Sequence, residues 1–149
     1  MTIERDVKPP RLWFFDTEVI IRVSGTEDGD RISVLDHRAP FGNSPPLHRH
    51  IDEDEIFHII SGTFRFVVDG KQLTVSTGDT LRGPKGIPHT YRVESREGGR
   101  LLSITARQQF ENFVRALGRR PTRGGLPDPS GPPTPEQAEA LTEIGRAHV

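Results

Sequence analysis

The sequence predicts an all-β protein, either a sandwich or a barrel, on three observations. Apolar and polar residues alternate over many short runs, of which TFRFVVDG at 63–70 is the clearest. Glycine and proline interrupt these runs at short intervals. Asp69-Gly70 is a strong signal for a two-residue hairpin, because a type I′ turn needs positive φ at both positions. Many short strands separated by turn signals are typical of sandwiches and barrels.

Each predicted strand is an alternating or apolar run between two such signals. After the turn at 69–70, the segment 71–75 is expected to return antiparallel to 64–68. Trp13-Phe14-Phe15, near the N-terminus, is interpreted either as core or as an interface strand. The remaining candidates lie at 19–23, around Ile32 and Val34, at 48–50, at 55–60, at 91–93 and at 101–105.

The rest of the chain divides by its proline and glycine content. A helix is predicted at 108–117, with Phe110, Phe113, Val114 and Leu117 on one face and Gly118 as its stop. Residues 118–135 are more than half glycine and proline, which predicts an extended linker. The predicted domain therefore covers 1–117.

A second, short helix is predicted at 136–149. Thr134 is its expected N-cap, Pro135 takes the first position, and Gln137 can close a capping box. Ala138, Leu141 and Ile144 give a narrow apolar stripe. So short a helix is marginal alone, so we expect it to dock on the body or on a partner.

Composition excludes several classes of function. The 149 residues favour one domain, and 20 basic against 21 acidic residues give a net charge of −1, without the basic excess of a nucleic-acid-binding domain. The absence of cysteine excludes disulfides and thiolate metal sites. No apolar run approaches membrane-spanning length, and the N-terminus lacks the apolar core of a signal peptide. We expect a cytoplasmic protein without nucleic-acid or membrane partners.

Histidines and one glutamate suggest a metal site. His48 and His50 share one face if they lie on a strand. If 51–54 is a hairpin connection, Glu55 returns beside them. Two imidazoles and a carboxylate can hold a divalent metal with open coordination positions. His89, which follows a turn rich in proline and glycine, could complete the set.

Other acidic and histidine residues have simpler interpretations. Residues 52–54 are expected to form a solvated turn, with Asp54 a weak alternative to Glu55. His37 and His58 are interpreted as structural, and His58 is out of phase with Glu55, so it faces away from the site on a regular strand. His148 lies in the tail.

Two longer motifs contain these residues and resemble the cupin family. GNSPPLHRHIDEDEIFHIISG at 42–62 has glycine, five residues, His-x-His, four residues, Glu, six residues and glycine. GDTLRGPKGIPHTYRV at 78–93 has glycine, five residues, Pro-x-Gly, two residues and His89. The chain departs from the family pattern at Val93, where asparagine is usual.

The resemblance implies a double-stranded β-helix, the jelly-roll barrel of cupins. It also implies that His48, His50, Glu55 and His89 hold one divalent transition metal, with Fe, Mn, Ni, Co, Cu and Zn not distinguished by this ligand set. Cupin barrels often pair, so the resemblance further implies a homodimer.

Strand parity suggests the residues around the metal. Side chains that share a face with the ligands are expected to line the substrate pocket: Phe57, Ile59, Tyr91 and Val93. Valine in place of asparagine argues against a small dianion such as oxalate and suits an apolar or aromatic substrate.

Three functions remain open. The first is a dioxygenase, because the chain is similar to quercetinase-like small cupins; Glu55 would then be a metal ligand or a general base. The second is an isomerase, cyclase or decarboxylase that uses the metal as a Lewis acid. The third is a module that binds a small molecule without turnover.

Overall fold

The computed structural model describes residues 8–144, and its regular elements are mostly strands. The elements are β1 (Arg11–Phe14), β2 (Thr17–Val23), β3 (Ser33–Ala39), β4 (Arg49–His50), β5 (Glu55–Ser61), β6 (Thr63–Val68), β7 (Lys71–Ser76), β8 (Thr80–Gly83), β9 (His89–Val93), β10 (Gly99–Thr105), α1 (Gln109–Leu117), α2 (Pro135–Thr142) and β11 (Glu143–Ile144). A six-stranded sheet has the order β1-β2-β3-β10-β5-β8, and a three-stranded sheet has the order β7-β6-β9. The all-β prediction is confirmed.

The hairpin of β6 and β7 forms where the sequence predicts it. The two strands pair antiparallel from Thr63↔Ser76 to Val68↔Lys71. Asp69 and Gly70 between them have φ values of 52° and 72°. A two-residue loop with positive φ at both positions matches the right-handed twist of the strands it joins.

Two apolar clusters fill the fold. One lies under α1 and includes Phe14, Ile21 and Leu35, against which Phe110 and Val114 of the helix pack. The other lies between the two larger sheets and includes Ile59, Phe64, Phe66 and Val93, all with 0% exposure. Trp13 is 6% exposed, so of its two interpretations it belongs to the core.

The proline- and glycine-rich segment lies against the body. Between α1 and α2 the chain forms no helix or strand beyond an isolated bridge of Arg119 to Trp13. The indole N–H of Trp13 donates to the carbonyl of Gly125 at 2.9 Å, and the backbone N–H of Ser130 donates to Asp16 at 2.8 Å. Extended backbone of this kind forms few bonds to itself, and contacts with the body hold it instead.

The C-terminal helix starts as expected and ends early. Thr134 and Gln137 make both bonds of the capping box. The helix stops at Thr142, and Glu143 and Ile144 then pair in parallel with Arg49 and His50. The predicted helical continuation through Ile144 is therefore wrong, because this residue gains a strand partner and full burial. The positions predicted beyond 144 lie outside the described residues.

Over residues 8–144, neither helix has the length and apolar character needed to cross a bilayer.

Candidate metal centre

Four side chains from two distant stretches of the chain meet inside the barrel. His48, His50, Glu55 and His89 each direct one possible ligand atom into a cluster whose atoms all lie within 4.8 Å of one another. The Oε1 atom of Glu55 is 3.1 Å from Nε2 of His50 and 3.1 Å from Nε2 of His89. The structure thus brings together all four residues that the sequence motifs indicate as ligands.

The backbone around His48 and His89 fixes two of the imidazoles face to edge. The two residues exchange backbone hydrogen bonds, N–H of His89 to O of His48 at 2.8 Å and the reverse at 3.1 Å. Their ring centroids are 4.5 Å apart. The carbonyl of His50 accepts from the N–H of Gly86 at 2.7 Å, which holds the turn before His89 against β4.

Glu55 reaches the histidines by a different route from the predicted hairpin. β5 pairs with β10 and β8, whereas β4 pairs with β11. Residues 51–54 therefore cross from one wall of the barrel to another, and the hairpin interpretation is wrong. The Glu55 carboxylate meets the imidazoles across the barrel interior, because the ligand side chains of both walls are directed into it.

The donor atoms fit a divalent cation. The ring N–H at Nδ1 of His48 donates to the carbonyl of Pro46 at 2.7 Å, which leaves Nε2 unprotonated and facing the cluster. Both ring nitrogens of His50 lie near carboxylate oxygens, Nε2 at 3.1 Å from Glu55 and Nδ1 at 3.5 Å from Glu53, but within residues 8–144 neither contact has the geometry of a hydrogen bond, although this side chain is 1% exposed. Buried polar atoms are normally paired, so orphaned imidazole nitrogens beside a carboxylate match the requirement of a bound metal.

Burial and charge set the protonation of this cluster. Burial, together with the neighbouring His89 and His50, lowers the pKa of His48 to about 3. Burial also acts to lower the pKa of His50, but the charges of Glu55 and Glu53 outweigh it and raise that pKa to about 9. Burial acts to raise the pKa of the Glu55 carboxyl, but the charges and hydrogen bonds of His50 and His89 together hold that pKa well below the usual value. His48 and Glu55 are thus in the ligating form at neutral pH, and His50 must lose a proton.

Glu53 corrects the expectation of a solvated turn at 52–54. It is 1% exposed, and its carboxylate accepts from the backbone N–H groups of Phe110 at 2.8 Å and Arg107 at 3.2 Å. Its Oε1 atom lies 3.5 Å from Nδ1 of His50. An outer carboxylate of this kind orients a ligating imidazole and raises its basicity. Three consecutive acidic residues gave no sign that the middle one is buried.

Two further residues that are not fixed positions of the motifs support the cluster. The hydroxyl of Ser103 donates a short hydrogen bond to Oε2 of Glu55. A Cβ atom at Gly83 would lie 3.0 Å from Nδ1 of His89 and 3.3 Å from the ring of Phe57, so glycine lets the ligand ring approach the strand. The only sequence signal for Ser103 is its parity with Leu101 and Thr105 in a buried strand.

A cavity of about 270 Å³ opens beside the ligands. Phe57 and Tyr91 line it, as strand parity predicts. Ile59 and Val93 face inward but do not line it, because both are fully buried in the apolar cluster between the sheets. Val93 therefore does not set the polarity of the cavity, and the apolar or aromatic substrate stays a prediction. The apolar wall comes instead from other residues: Phe14, Phe15, Leu101 and Phe110.

The C-terminal segment supplies part of the cavity wall. Gly131, Pro132 and Pro133 line it, and so do Leu141 and Ile144. Tyr91 also lines the cavity, and burial raises the pKa of its hydroxyl, which therefore stays protonated. A segment with the composition of a linker gives no sequence signal for this role, since its contacts are made with residues more than a hundred positions away.

Of the other two described histidines, His58 lies away from the ligands, as predicted, whereas His37 is part of the cavity lining. The Nδ1 atom of His58 is 2.7 Å from the hydroxyl of Thr80, on the side of β5 away from the ligands. His37, interpreted as structural, lies on the cavity wall. Its inward position follows from the phase of β3, in which Leu35, His37 and Ala39 are buried, whereas Val34 is half-buried and Arg38 is exposed.

Comparison with known proteins places the fold and the ligand cluster in one family. The family model described as Cupin domain matches residues 36–105, which contain all four ligand positions. Residues 36–105 form a cupin domain. The jelly-roll class that the sequence motifs imply is confirmed.

Three proteins illustrate what the chain is similar to. Quercetin 2,3-dioxygenase of Bacillus subtilis is 28% identical over 98 residues, which are 66% of this chain and 29% of that protein. An RmlC-like cupin from Shewanella frigidimarina has a TM-score of 0.59 and 15% identity, over 70% of this chain and 89% of that one. The polyketide cyclase RemF from Streptomyces resistomycificus has a TM-score of 0.55 and 16% identity, over 70% and 78%. The matches cover less than half of the length of the two curated relatives.

Proposed function

We propose that this cupin is a metal-dependent dioxygenase that acts on a small aromatic or enolic substrate. The observation that carries the proposal is the convergence of four possible metal ligands beside a cavity whose wall includes five phenyl or phenol rings: the ligands are His48, His50, Glu55 and His89, and the rings belong to Phe14, Phe15, Phe57, Tyr91 and Phe110. Similarity to a quercetin dioxygenase over 98 residues supports oxygenase chemistry.

The ligand set accounts for the chemistry that is proposed. A divalent metal held by four protein ligands keeps one or two open positions, and it acts as a Lewis acid toward a substrate oxygen. His48, His50 and His89 would hold it with neutral nitrogens. Glu55 would hold it with an ionised carboxylate, oriented by Ser103. Because its pKa lies well below the usual value, Glu55 is better suited to bind the cation than to act as a general base.

The cavity supports the proposed substrate class. Aromatic rings such as those of Phe57 and Phe110 offer flat apolar surface, and the Tyr91 ring lies 5.3 Å from that of Phe66 behind it. A volume of about 270 Å³ equals that of about nine liquid water molecules, which fits a molecule of one or two rings. We also propose that the chain forms a homodimer, which light scattering would distinguish from a monomer.

Oxygen consumption tests the proposal. The purified protein is analysed for metals and then reconstituted separately with Fe, Mn, Ni, Co, Cu and Zn. We expect oxygen uptake with flavonol or 1,2-dicarbonyl substrates in at least one metal form, and its loss in His48→Ala and His89→Ala. His58→Ala, on the outer side of the neighbouring strand, is the matched control and should keep the activity. No uptake with any metal would count against the dioxygenase.

A second candidate is an isomerase, cyclase or decarboxylase on the same ligands. It uses the metal as a Lewis acid without oxygen, and the similarity of fold to a polyketide cyclase prompts it. Product formation that is unchanged under anaerobic conditions would favour this candidate. Binding of ring compounds without any product would favour a non-catalytic cupin.

A further inference from the structure

His37 is a polar group on the cavity wall that the metal cluster does not use. It lies on β3, opposite Leu101 of β10 and Val19 of β2 in the sheet register. Its ring stacks on that of Phe110, with centroids 5.7 Å apart and planes 11° from parallel. The ring of Phe110 also lies 5.3 Å from that of His50, with planes 70° apart. Phe110 therefore contacts both the His37 imidazole and a ligand of the metal cluster.

The Nε2 atom of His37 is buried and lacks a hydrogen-bond partner among the described residues 8–144. The side chain is 6% exposed, so water at the surface does not satisfy this atom. A buried polar atom without a partner costs free energy of folding, about 1–3 kcal/mol. A phenylalanine would fill the same stacked position without this cost, so packing alone does not explain an imidazole here.

The charge state of His37 suits a neutral ligand contact. Burial lowers its pKa to about 4, although the charges of Glu55 and Asp36 oppose the shift. At neutral pH the ring is uncharged. The neutral ring adds no positive charge next to a cation site. It can also form a hydrogen bond to a bound compound without the large desolvation cost of a charged group.

We propose that His37 is a substrate-positioning residue, whose Nε2 atom hydrogen-bonds an oxygen of a ring compound held in the cavity. This proposal rests on the proposed function only in placing the other end of the compound at the metal. The substrate class becomes more specific: a flat molecule with one oxygen for the metal and a second hydroxyl or carbonyl, directed toward β3. The hydroxyl or carbonyl would satisfy the Nε2 atom of His37, which residues 8–144 leave unpaired on a side chain that lines the cavity.

Phenol is the probe that both tautomers of His37 accept. If Nε2 is unprotonated it accepts from the phenol hydroxyl, and if it carries the proton it donates to the phenol oxygen. Toluene has nearly the same shape and no hydroxyl. The ratio of their dissociation constants therefore measures the hydrogen bond while the apolar contacts cancel.

The experiment measures both dissociation constants by NMR titration of the full chain, and follows the ¹⁵N signals of the His37 ring. His37→Phe keeps a ring against Phe110 and removes the nitrogen, and His37→Gln keeps a polar amide. His58→Phe removes an imidazole on the outer face as the matched control. We expect the preference for phenol over toluene to fall about two- to tenfold in His37→Phe, to be partly retained in His37→Gln and to be unchanged in His58→Phe.

In the wild-type chain, phenol should shift the His37 nitrogen signal and toluene should not. The proposal is overturned if phenol fails to bind, if its preference survives His37→Phe, or if the His37 signal stays still at saturation. None of these readouts needs metal or turnover. Absence of oxygen uptake would therefore remove the dioxygenase and leave the His37 result standing, and the reverse also holds.

Discussion

Replacing Glu53 by glutamine is expected to weaken both metal binding and the fold, because one buried carboxylate supports both. Its two oxygens accept from the backbone N–H groups of Phe110 and Arg107, at 2.8 Å and 3.2 Å. Its Oε1 atom lies 3.5 Å from Nδ1 of His50. Glutamine has the same shape, but it carries no charge and one of its two terminal atoms donates instead of accepting.

The expected magnitudes follow from these contacts. The amide NH₂ would face a backbone N–H that it cannot bond, which costs about 1–3 kcal/mol in the free energy of unfolding. Loss of the charge also makes His50 less basic. The negative charge of Glu53 stabilises both the proton on His50 and the divalent metal that displaces it. Because the metal carries two positive charges and the proton one, removal of the Glu53 charge destabilises the bound metal more than the proton. We expect metal affinity to fall about tenfold, the lower end of the range for outer partners of ligating histidines.

Two measurements check this prediction. Zinc affinity is obtained by competition with a chromophoric chelator, and the free energy of unfolding by urea titration of the metal-free chain. Asp52→Asn removes the same charge from the exposed neighbour, whose carboxylate accepts from the side-chain amide of Gln109 at 3.2 Å. Wild-type zinc affinity in Glu53→Gln, or an equal loss in Asp52→Asn, would refute the assignment of Glu53 to His50.

Three further predictions concern the ligands and the cavity wall. Gly83→Ala should lower the free energy of unfolding by about 1–3 kcal/mol and weaken zinc binding, because the new Cβ would lie 3.0 Å from Nδ1 of His89. Gly124→Ala is the control, since a Cβ there meets no atom of residues 8–144 within 4 Å, and it should leave stability and zinc affinity unchanged. Metal binding near pH 7 should release one proton, from His50, and calorimetry in buffers of different ionisation enthalpy should detect it. Since the pKa of His50 is raised to about 9, metal affinity should rise about tenfold per pH unit up to that value and fall on acidification; a flat profile would contradict its protonation. Leu141→Ala should lower the free energy of unfolding by about 2–5 kcal/mol in urea titrations, because this 6%-exposed side chain packs on the body; unchanged stability would mean that the C-terminal helix is not docked.

The metal ligands were predictable because their signals are local. His48 and His50 share a face through strand alternation, and the turn before His89 is fixed by nearby proline and glycine. Motif spacing then connects the two stretches. The route by which Glu55 arrives was not predictable from a short polar segment, since four residues can close a hairpin or cross between walls equally well.

The pocket was predicted only in part, because alternation says nothing about depth. Phe57 and Ile59 have the same parity, yet the first lines the cavity and the second lies in the apolar cluster behind it. The same limit applies to Tyr91 and Val93. Parity gives the side of a strand on which a residue lies, and the position of the opposite sheet decides whether that residue meets space or packing.

Sequence by itself determined the class of fold, the β6–β7 hairpin and the four side chains of the cluster, since each depends on residues close together in the chain or on motif spacing. Tertiary structure alone decided the burial of Glu53, the exposure of His37 to the cavity and the use of 131–144 as its wall. These features arise where segments distant in sequence pack together. The free energy of such a contact depends on how the side chains of both segments pack against each other, so the sequence of one segment alone does not determine it.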